Sequence, residues 1–172
     1  MKILLATASA ALALIAASPL HAQSTQFQFP NTPWQAYAPG RIECGWLKGA
    51  NFNSTSDQAI AIAVPTATYM VDSIVVSDPS VSLTTAAGGF YSAASKGGIA
   101  IVANTQAYSP LTTGAVNTTG GAMLATLAAA GTTTRFQGPT QTSKVTTLYL
   151  SLTTPQGAAA TANVRVYCLP LY

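Results

Sequence analysis

Charge is the scarcest property of this 172-residue chain. Seven Lys and Arg and four Asp and Glu make up 6% of it. Histidine occurs once, at His21, and cysteine twice, at Cys44 and Cys168. Beyond residue 22 the cations are Arg41, Lys48, Lys96, Arg135, Lys144 and Arg165, scattered so that no two lie within five residues of each other. A nucleic-acid groove or an anionic membrane site needs such residues clustered, so neither partner is expected. The computed pI of 9.0 reflects the rarity of charge rather than a basic surface. Low charge with 49% hydrophobic residues is also the opposite of a disordered, solvated tail.

The single histidine lies in a segment that reads as an address. Lys2 precedes an apolar run from Ile3 to Ala17, and Ser18-Pro19-Leu20-His21-Ala22 then breaks it. That is the build of a secretory signal peptide over 1–22, cut after Ala22. The run is shorter than the roughly 20 residues of a membrane span, and no later stretch is long and apolar enough to cross a bilayer. Export to the periplasm, cell surface or medium follows as the expectation. Removal of 1–22 leaves 150 residues, one ordinary domain.

Without His21 the remaining chain has no imidazole. Ser-His-Asp and Cys-His catalysis and any His-containing zinc site are excluded. Glu43, Asp57, Asp72 and Asp78 are the remaining acids. Asp72 and Asp78 are the nearest approach to a glycosidase-like pair, although a solvated strand residue and a turn former before Pro79 explain them more simply. No acidic loop has the density of a calcium site. The stretch from Gly88 to Gly98 is glycine-rich around Lys96, but Ser95 precedes the lysine and Gly97 follows it, the wrong order for a phosphate loop. No cofactor, metal or catalytic residue is expected, and the chain does not read as an enzyme.

What is present is period-two alternation. Leu148, Leu150 and Leu152 share one face of a strand; Val164, Val166 and Cys168 share one face of another, with Asn163, Arg165 and Tyr167 opposite. Thr153 to Gly157 supplies turn chemistry between them. Arg41 to Lys48 reads as the first strand, with Ile42, Cys44 and Trp46 on its core face. Ala59 to Val64 is another. In Tyr69 to Val76 the face of Tyr69, Val71, Ser73 and Val75 is the expected core side, because it spares Asp72. Further strands are read at Val81–Thr84, Ile99–Ala103 and Thr132–Phe136, with Gln106–Tyr108 as a continuation of the second of these. Ala122 to Ala130 suits a short helix by its alanines and a strand by its flanks. About eight strands with Gly and Pro punctuation predict an all-β, single-domain β-sandwich or jelly-roll-like fold over 41–172.

Gln23 to Gly40 carries Pro30, Pro33 and Pro39 among Phe27, Phe29, Trp34 and Tyr37, and reads as an aromatic arm. Trp34, Tyr37 and Trp46 are the residues that a sugar-stacking surface would use, though aromatics more often anchor their own domain. Two cysteines on apolar strand faces of an exported chain predict a Cys44–Cys168 disulfide between the first and last strands.

Residues 80–167 resemble a family of small, mostly uncharacterised proteins from bacteriophage and prophage structural regions. The resemblance is carried by Ser82-Leu83-Thr84-Thr85-Ala86-Ala87-Gly88-Gly89 through Tyr91 and by Ala93-Ala94-Ser95-Lys96-Gly97-Gly98. A second block follows, Leu148-Tyr149-Leu150-Ser151-Leu152-Thr153-Thr154 with Gln156 to Ala162 and Val164. It implies a β-rich particle component without enzymatic activity. The signal peptide, the arm and the two cysteines are additions to that pattern. The expected function is therefore that of an exported structural or surface-assembly protein, associating with itself or with other surface or particle proteins. A secreted glycan- or ligand-binding module is the alternative, and a carboxylate-dependent hydrolase the weaker one.

Overall fold

The alternating segments pair into two antiparallel sheets packed face to face. A computed structural model describes residues 40–113, 121–138 and 144–172. The segment read as a signal peptide, and Trp34 and Tyr37 of the arm, lie outside the described residues. The strands are β1 (Ile42–Asn51), β2 (Gln58–Ala61), β3 (Thr68–Ser77), β4 (Ala87–Ala93), β5 (Gly97–Val102), β6 (Ala122–Leu124), β7 (Phe136–Gln137), β8 (Thr147–Thr154) and β9 (Thr161–Leu171). One short helix, α1 (Ala129–Thr133), lies between β6 and β7. The five-stranded sheet runs β1-β9-β3-β6, with β7 also paired to β3; the four-stranded sheet runs β2-β8-β4-β5. The fold is the expected all-β sandwich.

The core lies between β8 and β9. Leu148, Leu150 and Leu152 face Val164, Val166 and Cys168, and all six are fully buried. Ile60, Phe90 and Ile101 join from the four-stranded sheet, and Ile74 and Val76 from the other. Each such side chain contributes about 1.5–3 kcal/mol by leaving water. β8 and β9 are consecutive in sequence but belong to different sheets. The turn after Thr154, with Gly157 at a φ of 83°, carries the chain across the sandwich rather than closing a hairpin. Cys44 and Cys168 form a disulfide with a Cα–Cα distance of 5.7 Å, joining neighbouring strands β1 and β9 on their buried side.

Both seams between the sheets are closed by backbone. On one side Gly45 of β1 bridges Ile62, and the Ala63 amide donates to the Cys44 carbonyl at 2.8 Å. On the other, residues 125–128 cross over: the Ala125 amide donates to the Ile74 carbonyl of β3, and the Ala128 amide to that of Ile101 in β5. Edge strands invite pairing with other chains, and here the edges are substantially occupied from within.

Two bulges change which residues face inward. The β1–β9 register shifts between Glu43 and Gly45, so Cys44 and Gly45 are both buried and Trp46, expected in the core, turns outward. The β3–β9 register shifts between Val71 and Ser73. Tyr69 and Val71 face the core as expected, but beyond the bulge Ile74 and Val76 take over that side. Ser73 and Val75, also expected in the core, pair with the outward Tyr167 and Arg165 instead. Ser73 stays buried there because Arg41 covers it. An extra residue on one strand flips the parity of every residue after it.

Three further segments differ from expectation. Val81–Thr84 is loop, with Leu83 buried and its amide bonded to Leu111 rather than to a ladder. The 106–108 stretch is likewise loop, held to β4 by the Ala87–Ala107 bridge, by the Gly88 amide donating to the Gln106 carbonyl at 3.0 Å and by the Tyr108 hydroxyl donating to the Gly88 carbonyl at 3.1 Å. Ala122–Ala130 resolves into both readings, with β6 at its start and α1 from Ala129, and the strand expected at Thr132–Phe136 reduces to Phe136–Gln137. The helix fits there because Gly131 lets it press onto β5: a Cβ at Gly131 would lie 2.3 Å from the Ile101 carbonyl oxygen. No helix among the described residues is long and apolar enough to cross a membrane.

Candidate functional site

The outward turn of Trp46 creates the most distinctive surface of the domain. The register places Trp46 beside Arg165 of β9, Arg165 beside Val75 of β3, and Val75 beside Leu124 of β6. These four form one row across the outer face of the five-stranded sheet, about 14 Å from end to end. Its ends are open to solvent: Trp46 is 51% exposed and Leu124 63%. The stem of Arg165 and the half-buried Val75 continue the apolar line between them.

Charged groups flank the row and satisfy one another. Arg165 Nη1 donates to Glu43 Oε2 at 2.8 Å, and its guanidinium carbon lies 4.9 Å from the Trp46 ring centroid. The Glu43 hydrogen bond and charge hold the Arg165 pKa above its ordinary value. One row along, the Arg41 guanidinium sits 4.3 Å from the centroid of Tyr167. Its Nε is 3.1 Å from Asp72 Oδ2, and its Nη2 donates to Ser73 Oγ at 2.6 Å. On the other side Asp78 accepts from Asn163 Nδ2 at 3.0 Å and from Ser77 Oγ at 2.9 Å, bonds that lower its pKa. Exposed pairs of this kind add little to stability, because solvent screens them. Their effect is to fix the side chains and leave the face electrically balanced.

The four-stranded sheet has a different outer face. Ser151 of β8 points away from the leucines yet is 1% exposed. Its hydroxyl donates to Asp57 Oδ1 at 2.6 Å, and Asp57 Oδ2 accepts the Ser95 amide in the β4–β5 turn. Ser95 and Lys96 both sit at positive φ there, 56° and 57°. The Ser151 bond, then the Ser95 bond and the nearby charge of Lys96, depress the Asp57 pKa. Asp57 thus clasps the hairpin onto the sheet. Beside it a shallow cleft of about 260 Å³ runs between Ser92–Ala94 and Lys144–Tyr149. Lys144 and Tyr149 are the titratable residues of its lining, with no carboxylate among them.

The Asp72–Asp78 pair is not brought together by β3. Asp72 and Asp78 are six positions apart along extended chain, about 20 Å. A glycosidase pair needs about 5–9.5 Å. Among the described residues no three His, Cys, Asp or Glu side chains come together to hold a metal. Of the three aromatic candidates for binding, Trp46 lies in the exposed row, while Trp34 and Tyr37 are outside the described residues. Arg165, Val75 and Leu124 are additions from the structure. Arg165 is legible in the sequence as an outward residue of the last strand, but its neighbours follow from register alone.

Comparison with models of known protein families, with curated proteins and with solved structures gives no match.

Proposed function

We propose that this chain is an exported, non-enzymatic structural module that works by surface assembly, a β module akin to the phage and prophage structural proteins its sequence resembles. The observation that carries this reading is the Trp46–Arg165–Val75–Leu124 row: exposed apolar ends on a sheet face whose flanking charges are neutralised in place. Covering this face would cost the desolvation of its two ion pairs, but would leave neither arginine buried without a partner carboxylate. The ionisable groups along it are engaged with one another in ion pairs, which suits contact rather than catalysis. The leader-like 1–22 segment and the Cys44–Cys168 disulfide support an oxidising compartment. Light scattering on the mature protein across a dilution series tests the assembly reading. A multimer that persists into the micromolar range is the expected result, and a monomer at every concentration overturns it.

A glycan-binding module is the second reading, favoured by one specific feature. Trp46 presents a half-exposed ring next to a donor–acceptor pair, Arg165 and Glu43, suited to sugar hydroxyls. A glycan array in which binding depends on Trp46, shown by its loss in Trp46→Ala, would support that reading in place of the first.

A further inference from the structure

We infer that two copies of this chain pack the outer faces of their five-stranded sheets together about a two-fold axis running parallel to the strands between β9 and β3. Trp46 of each copy then meets Leu124 of the other. This inference rests on the assembly reading and specifies its partner and geometry.

Three observations carry it. The first is the order of the row. A two-fold axis along the strands exchanges β1 with β6 and β9 with β3. It brings the exposed Trp46 onto the exposed Leu124, Arg165 onto Val75 and Tyr167 onto Ser73. Every large apolar end finds an apolar partner, and each aromatic or long polar side chain meets a smaller one. The second is charge. A two-fold perpendicular to the strands and running along the row superposes Arg165 on its own copy and Trp46 on its own copy. Like charges brought opposite each other cost energy, so that arrangement is disfavoured. The first arrangement sets no member of the row against its own kind, and the Glu43 and Asp72 carboxylates keep their arginines paired.

The third is area. Three strands of ten or eleven residues, with the short β6 and β7 beside them, present roughly 550 Å² per copy, or about 1,100 Å² in total. That lies just below the standard size of a specific interface, and it suits a reversible dimer rather than an obligate one. Aligned packing of twisted sheets at about 30° is the ordinary way such faces meet. The seams are occupied from within, which favours face-to-face over edge-to-edge joining of a second copy.

The test uses the mature chain and three surface variants, Trp46→Lys, Leu124→Glu and Val75→Lys, with light scattering across a dilution series. Trp46 and Leu124 are solvent-exposed, so Trp46→Lys and Leu124→Glu are expected to keep the wild-type thermal midpoint; Val75 is half-buried, and circular dichroism checks that Val75→Lys is folded at the working temperature. Wild type is expected to dimerise, and each variant to weaken dimerisation at least tenfold. Mixing Trp46→Lys with Leu124→Glu is expected to restore a dimer. The introduced lysine of one copy then faces the introduced glutamate of the other, while the untouched ends still meet. Val75→Lys faces Arg165 and is expected to find no such rescue from either. A wild-type monomer throughout overturns both this inference and the assembly reading. A wild-type multimer indifferent to all three variants overturns this face and leaves assembly by another route. Monomeric variants that fail to rescue one another overturn the two-fold arrangement.

Discussion

The two central strands of this sandwich, β8 and β9, present matching faces to the core and opposite faces to solvent. Inward, each is a row of apolar side chains at 0% exposure. Outward, β8 offers Ser151, covered and hydrogen-bonded to Asp57, while β9 offers Arg165, stacked on an exposed tryptophan. The first sheet uses its outer polar groups to hold its own hairpin. The second arranges them in pairs that leave its surface rigid and open. The same alternation rule therefore produces a structural face and an available one, and neighbouring strands decide which.

Perturbations of decreasing size separate these roles. Loss of the cross-link is expected to have the largest effect, and to strike both faces equally. The disulfide closes a loop of 124 positions, for which the chain-entropy model gives about 5 kcal/mol. Paired Cys44→Ala and Cys168→Ala substitutions should lower stability in denaturant unfolding by about 2–5 kcal/mol. A single transition by both fluorescence and circular dichroism is expected, and separate transitions would break the comparison by showing that the sheets unfold apart.

Gly89→Ala comes next and is specific to the closed sheet. A Cβ there would lie 2.3 Å from the Val102 carbonyl oxygen, which belongs to backbone and cannot swing aside. About 1–3 kcal/mol of destabilisation is expected in urea unfolding. Ser151→Ala should cost less, about 0.5–1.5 kcal/mol, because the carboxylate it releases can turn to water. It also carries a pH signature. The folded Asp57 pKa lies below its ordinary value of 3.8, so its contribution is present above that value and is lost as pH falls through the folded pKa. Without Ser151 the pKa rises, and the acid-unfolding curve should move to higher pH. An unmoved curve would mean that Asp57 is not the clasp described.

On the open face the same kind of change should matter little to the fold. Glu43→Gln breaks an exposed pair and is expected to leave the thermal midpoint within a few degrees of wild type. A much larger loss would show that this face, too, serves chiefly to hold the domain together.

The parts of this molecule legible in the sequence are those governed by strict alternation. Leu148 to Leu152 and Val164 to Cys168 are readable because nothing interrupts their period, and the disulfide follows from two cysteines on apolar strand faces. The exposed row is not readable. Trp46 reads as core because Ile42, Cys44 and Trp46 keep one parity, and the bulge that turns it outward is a backbone event with no side-chain marker beyond Gly45. In β3 the polar Asp72-Ser73 pair before three aliphatic residues is the available hint of a second bulge. Val75 and Leu124 join the site through cross-strand register, which one-dimensional spacing does not encode. Tyr108 and Leu111 are fully buried from a loop, where no period exists to betray them.

The placement of the cross-link has a mechanical consequence. β1 begins and β9 ends at the same end of one antiparallel pair, with Ile42 opposite Cys168. Tension applied between the two flanks of the domain would otherwise peel these strands apart like a zipper, one bond at a time. The Cys44–Cys168 bond stops that after the first few residues and diverts the load through a covalent shunt. The chain between the two cysteines, which includes nearly the whole sandwich, then carries none of the pull. A domain wired in this way can serve as a link in a strained array while its own fold stays slack.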